Sequence, residues 1–108
     1  MSLYDHISES AFTTQVIRMA QVFRWRVAHF RPAMTKRGRW VTAVQGDGAG
    51  FPDLIMLRHG RRIMAELKSA KGKTSIEQVK WLEAGRCADF EVYIWYPIHI
   101  DQIERILK

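Results

Sequence analysis

An α/β domain is the fold class predicted for this 108-residue chain, on three observations. Apolar residues recur at helical spacing over residues 8–23, two β-prone segments flank the turn pair His59-Gly60, and a capping signature at Thr74 or Ser75 opens a second helical stretch.

In chain order, Ser8 is placed to cap a first helix with Glu9 in its first turn, and Phe12, Val16, Met19, Ala20 and Phe23 form its apolar stripe. Residues 25–30 are β-prone and Pro32 stops them, which predicts a short strand entering a long basic loop that runs to about Pro52. That loop holds Gly38, Gly46, Gly48 and Gly50; its length in so small a domain points to a functional segment, although a plain surface connection has the same composition. Residues 53–58 and 61–68 predict a β-hairpin. After a basic loop around Gly72, Thr74 with Glu77 and Ser75 with Gln78 both match the capping-box spacing of a helix whose expected buried stripe is Ile76, Val79 and Leu82, with Gly85 near its end. Residues 91–96 alternate as a strand that Pro97 stops, and Asp101 with Glu104 opens a last helix burying Ile103, Ile106 and Leu107. The expected order is α-β-β-β-α-β-α, with no internal repeat and no low-complexity tract.

Composition sets the limits. Residues 1–108 fit one domain, and 47% apolar residues with four Trp, three Tyr and five Phe supply a modest core. No apolar run approaches the roughly 20 residues of a membrane span, and a start carrying Asp5 and Glu9 lacks the basic-then-apolar layout of a secretion signal, so a soluble intracellular protein is expected. The single Cys87 can form neither an internal disulfide nor a zinc site alone, and packing is its expected role. His6, His59 and His99 have no zinc-ligand spacing.

The charge is uneven. Net +6 and a pI near 9.9 favour a polyanionic partner. Between Glu9 and Asp47 there is no acidic residue, while Arg18, Arg24, Arg26, Arg31, Lys36, Arg37 and Arg39 supply seven positive charges. Phosphate binding explains that asymmetry better than solubility does, and a solvated basic face is the alternative.

The hairpin carries the chemistry. If His59 and Gly60 are its two central turn residues, opposed residues have numbers that sum to 119, which sets Asp53 directly across from Glu66. Cross-strand Cβ atoms lie about 5 Å apart, and two carboxylates at that distance repel unless a cation sits between them. A divalent metal is the natural occupant, since Mg²⁺ in nucleic-acid enzymes takes one or two carboxylates, several waters and substrate phosphate oxygens. Lys68, two residues beyond Glu66 on the same strand, shares its face and could steady negative charge building on a phosphate. A surface ion pair between Glu66 and Lys68, with Asp53 capping the strand, would use the same residues, and register alone does not separate the two.

The string Gly50-Phe51-Pro52-Asp53-Leu54, followed by Ala65-Glu66-Leu67-Lys68-Ser69, resembles the PD-(D/E)XK nuclease superfamily and within it the VRR-NUC family. The resemblance extends from the first helix, through Gly72 and Ser75-Ile76-Glu77-Gln78-Val79-Lys80-Trp81-Leu82, to Val92-Tyr93-Ile94-Trp95 and the terminal helix. It implies a restriction-endonuclease-like αβββαβ core with a mixed central sheet flanked by helices. It further implies that Asp53, Glu66 and the backbone carbonyl of Leu67 bind Mg²⁺ or Mn²⁺, with Lys68 beside the attacking water. Glu9 matches a first-helix acid near the metal in that family, acting directly or through water; its alternative role is favourable charge in the helix's first turn. Gln78 matches a helix glutamine lining the site, and its alternative role, the capping box with Ser75, is compatible with the first.

Contacts to DNA are expected from His29 on the first strand, from Arg31, Lys36, Arg37 and Arg39 in the basic loop, and from Lys71 and Lys73 beyond the catalytic strand. A structural histidine and solvated loops would look the same. Trp40 and Phe51 could stack on unpaired bases, although loop aromatics usually pack back onto their domain, and Trp81 and Trp95 look like core or interface. The resemblance implies hydrolysis of phosphodiester bonds to a 5′-phosphate and a 3′-hydroxyl, in a bacterial or phage-infected cytoplasm. Short stand-alone members resemble resolvases of four-way (Holliday) junctions, so a structure-selective endodeoxyribonuclease acting as a homodimer on branched DNA is expected, because two symmetric cuts need two sites. A flap, nick or duplex nuclease of the same chemistry, and a non-catalytic basic module binding nucleic acid, are the alternatives.

Overall fold

In a computed structural model that describes residues 4–30, 33–41 and 44–108, the Ser8 hydroxyl accepts the Ala11 N–H at 3.0 Å and starts α1 (Glu9–Val22). Phe12, Val16 and Ala20 of the expected stripe are fully buried. The chain then forms β1 (Arg26–His29), β2 (Ala33–Met34), β3 (Trp40–Val41), β4 (Leu54–Arg58) and β5 (Arg61–Leu67). It continues through α2 (Ile76–Cys87), β6 (Glu91–Trp95), a 3₁₀ turn at Pro97–His99 and α3 (Ile100–Leu107). Arg31 and Pro32 lie outside the described residues, as does the side chain of Trp40.

One sheet organises the molecule. Its strand order is β1-β4-β5-β6; β1, β4 and β5 are antiparallel neighbours and β6 runs parallel to β5. A parallel neighbour needs a crossover, which α2 supplies. Helices and sheet therefore follow the αβββαβ order, a mixed sheet flanked by helices, as expected. The basic loop departs from expectation. It carries its own two-stranded hairpin, β2 with β3, pairing Met34 with Trp40 and Ala33 with Val41.

The β4–β5 hairpin keeps the predicted register. His59 and Gly60 have φ of 48° and 79°, the left-handed pair that a two-residue turn needs to match strand twist. Arg58 pairs with Arg61 and Leu54 with Ala65, and the next row in that ladder is Asp53 with Glu66.

Side-chain alternation divides the sheet into two unlike faces. On one, Leu54, Met56, Ile63, Ala65, Leu67 and Trp95 pack with α1 and with Ile103 and Leu107 of α3 to form the core. On the other, α2 covers β5 and β6. Gly85 permits this close approach, since a Cβ there would lie 2.6 Å from Met64 Sδ. Leu82 and Gly85 are the buried residues of α2, whereas Ile76 is 76% and Val79 45% exposed, against the buried stripe expected for that helix. The second half of α2 lies over the sheet; its first half reaches past it toward the loop at Gly50.

Trp25 ties the link between α1 and β1 to the last turn of α3. Its indole N–H donates to the Leu107 carbonyl at 2.8 Å, and the Arg58 and Arg61 guanidiniums lie over its ring at 4.6 and 4.9 Å. Arg58 also donates to the carbonyls of Phe23 (2.9 Å) and Leu107 (2.7 Å), and Arg61 to that of Ile106 (3.0 Å). Carbonyls that the last turn of α3 would leave bare thus gain cationic donors. Two smaller expectations are refined. Asp101, expected to open the last helix with Glu104, lies in its first turn, and the cap position is His99, two residues earlier. Cys87, expected to pack, is exposed because the C-terminal end of α2 turns it to solvent. No helix among the described residues is long and apolar enough to cross a membrane.

Candidate active site

Asp53 enters the site at the start of β4, behind the fully buried Pro52. The approach requires Gly50: its φ is +76°, and a Cβ there would lie 2.5 Å from the Glu77 carbonyl carbon and 2.6 Å from the Gln78 nitrogen. The loop is thereby pressed against the first turn of α2, which brings Asp53 and Gln78 to the same end of the sheet. Phe51 fixes the same approach from the side, edge-on to Phe30 and Trp81 with ring centroids 4.7 and 4.9 Å away. It packs back onto the domain, and the Trp81 indole donates to the Asp47 carbonyl at 2.8 Å.

Asp53 and Glu66 are laced together through the backbone. Glu66 Oε1 accepts the Asp53 N–H at 3.2 Å, and Asp53 Oδ2 accepts the Leu67 N–H at 2.8 Å. Leu67 therefore points its N–H toward Asp53, and in an extended strand its carbonyl lies on that same side. The Lys68 N–H turns the other way, donating to the Trp95 carbonyl at 2.9 Å.

Glu66 is 1% exposed, and its Oε2 is buried without a hydrogen-bond partner among the described residues. Lys68 Nζ forms an ion pair with that oxygen at 3.2 Å and donates a hydrogen bond to Gln78 Oε1 at 2.9 Å. Burial pushes the Glu66 carboxyl up to about 8, with the Asp53 charge adding to the rise and Lys68 opposing it. The direction of that shift is what burial and a facing carboxylate impose on a carboxyl, and the Lys68 ammonium offsets part of it.

Gln78 closes the expected capping box and reaches Lys68 through one atom. Its Oε1 accepts from Lys68 and also from the Ser75 N–H at 2.8 Å, while the Ser75 hydroxyl accepts the Gln78 N–H at 3.2 Å, closing the capping box. Of the two cap pairs the sequence offered, Ser75 with Gln78 forms. Glu9 is exposed, yet its carboxyl is raised above its ordinary value, first by partial desolvation and then by Asp53, with Lys68 acting in the opposite sense. It is therefore within electrostatic reach of the site. No cluster of three or more metal-binding side chains occurs among the described residues; the carboxyls that face one another here are those of Asp53 and Glu66. That pair, with a buried unpartnered oxygen and the Leu67 carbonyl beside it, suits a hard divalent cation that keeps positions open for water and phosphate.

The expected DNA-contact residues are more scattered. Lys71 and Lys73 are exposed on the loop just past Lys68. Lys36, Arg37 and Arg39 are exposed on the β2–β3 hairpin, and Arg31 lies outside the described residues. His29 is exposed and pairs with Leu54, which puts it on the sheet face opposite Glu66 and Lys68. Two positioning contacts go beyond what residue spacing indicates, although Gly72 belongs to the pattern of the resemblance. Gly72 lies so near Lys68 that a Cβ would come 3.1 Å from the Lys68 Cβ, and the Tyr96 hydroxyl donates to the Gly72 carbonyl at 3.1 Å. The local turn sets Gly72 beside the Lys68 stem, and Tyr96, which only the fold brings there, holds the Gly72 carbonyl.

No protein-family model matches the chain, and no curated protein matches it. Among solved structures it is similar to the small subunit of the heterodimeric restriction endonuclease R.BspD6I, with a TM-score of 0.46 and 14% identity over 82% of this chain. The chain spans 47% of that subunit's length. A likeness at this level assigns no activity, which has to be argued from the site.

Proposed function

We propose that this chain is a divalent-metal-dependent DNA endonuclease, with Asp53, Glu66 and the Leu67 carbonyl holding Mg²⁺ or Mn²⁺ and Lys68 serving the reaction. The observation that carries the reading is Glu66. A buried carboxyl facing a second carboxylate, with one oxygen unpartnered and an ammonium 3.2 Å away, is an unfavourable arrangement for stability alone. A bound divalent cation would neutralise phosphate charge and lower the pKa of a coordinated water.

The remaining roles belong to the chain's own residues. Lys68, steered by Gln78 Oε1, presents a fixed positive charge where negative charge would build on the phosphate, the kind of preorganised stabilisation that usually contributes most. The backbone bonds between Asp53, Glu66 and Leu67 hold the carboxylates in place before substrate arrives. Glu9, whose carboxyl feels Asp53 and Lys68, would serve the metal directly or through water. The VRR-NUC resemblance supports products with a 5′-phosphate and a 3′-hydroxyl, a four-way junction as the preferred substrate, and a homodimer to cut it twice.

The test pairs binding with cutting on a four-way junction, a flap and a plain duplex in Mg²⁺ and in Mn²⁺. Wild type should cut, the junction fastest, while Asp53→Ala and Lys68→Ala should bind without cutting. Wild-type binding with no cleavage in either metal would leave a non-catalytic nucleic-acid module. A junction ranked last would remove the resolvase assignment and leave the chemistry.

A further inference from the structure

Resting on the nuclease reading, we infer that the half of the sheet not covered by α2 is a track for the phosphodiester backbone of the nucleic acid leaving the site, anchored at its far end by Arg26 and Arg62. Register places both arginines. Arg26 pairs with Leu57, and Leu57 with Arg62, so the three form one row across β1, β4 and β5. Phe30, Asp53 and Glu66 lie four residues along those same strands, an even number, so the two rows share a face. The carboxylate pair stands at one end of this face and two guanidiniums at the other, about 13 Å apart at about 3.3 Å per residue.

The surface between the rows is open. Ala28 is exposed, Ile55 half-buried and Leu57 51% exposed. They line a concavity at the β1 edge, shared with Gln21, Trp25 and Val27, that continues past Arg26 and Leu57 into a second one bordered by Arg24, His59 and Arg62. Arg24, Arg26 and Arg62 are exposed and make no ion pair among the described residues. The neighbouring Arg58 and Arg61 are already committed to carbonyls and Glu91, so they hold the end of the track in shape and add to its positive field.

Charge decides the occupant. A second copy of this chain docked face to face would bring unpaired arginines against arginines, whereas a polyphosphate strand complements them and lets its sugars lie on the small apolar floor. A span of about 13 Å corresponds to roughly four base-pair rises, at about 3.4 Å each. A substrate therefore needs about that much nucleic acid on one side of the scissile phosphate to reach the anchor.

The test measures the affinity of the full chain for fluorescein-labelled duplex DNA in EDTA across a series of salt concentrations. Wild type is compared with Arg26→Ala/Arg62→Ala, and with Arg86→Ala/Arg105→Ala as a control that removes the same charge elsewhere. The first pair should weaken binding roughly tenfold or more and lower the salt slope by about 2, near 0.9 for each phosphate no longer neutralised. Arg26→Lys/Arg62→Lys should restore the slope. A slope unchanged in the first pair, or lowered equally by the control, overturns the track. Wild-type cutting in Mg²⁺ is scored separately: its absence would count against the nuclease reading, while the slopes, which need no cleavage, decide the track in either case.

Discussion

Lys68 Nζ donates to Gln78 Oε1 at 2.9 Å, and that same oxygen accepts the Ser75 N–H that closes the capping box of α2. A helix start and the candidate catalytic ammonium therefore depend on one side-chain atom. This coupling separates two variants that would otherwise look alike. Ser75→Ala and Gln78→Ala should each lose about 1 kcal/mol of stability through the cap. Only Gln78→Ala also frees Lys68, and a single-turnover cleavage assay should show its rate falling while that of Ser75→Ala stays near wild type. Equal rates in the two variants would mean that Gln78 does not steer Lys68.

The Glu66 proton makes metal-free stability depend on pH. Its carboxyl is raised from 4.5 to about 8 in the folded protein, so between those values the folded state holds a proton that the unfolded state has lost. Stability from this group is full below about 4.5 and is lost as pH rises through about 8. Urea denaturation in EDTA should show that decline, and Glu66→Gln should flatten it. Titration calorimetry in buffers of different ionisation enthalpy should show a proton released as Mg²⁺ or Mn²⁺ binds below that upper pKa.

Divalent cation should also stabilise the fold by mass action. At a hundredfold excess over Kd the gain is about 2.7 kcal/mol for one site, seen as a rise in melting temperature that chelation reverses. Asp53→Ala should abolish the rise. If Asp53→Ala keeps the full shift, the cation binds elsewhere.

Gly50 predicts a remote route to the same loss. Gly50→Ala forces a side chain onto a backbone at φ +76° and sets its Cβ 2.5 Å from the Glu77 carbonyl carbon. Stability should fall by more than about 1 kcal/mol, and the loop carrying Pro52 and Asp53 should move from α2. Metal affinity measured by calorimetry should drop although no ligand has changed. Gly38→Ala, also at positive φ but with nothing near its Cβ, should leave metal affinity unaltered.

The position of Asp53 opposite Glu66 was legible in the sequence because a two-residue turn at His59-Gly60 is a local event. Its backbone conformation depends on those two residues, and once it forms every row of the β4–β5 hairpin follows. The caps at Ser8 and Ser75 were readable for the same reason, since their partners lie three residues away.

What tertiary structure alone decided is everything that depends on where one element rests on another. Helical spacing in α2 marked Ile76, Val79 and Leu82 as one stripe, but Gly85 lets the second half of that helix settle on Met64 and leaves Ile76 in water. The same placement presses Gly50 against Glu77, brings Gln78 to Lys68, and leaves the row of Arg26, Leu57 and Arg62 uncovered. Periodicity tells which residues share a side of a helix or strand; how far a neighbour covers that side is set by packing between distant segments, which sequence spacing does not encode.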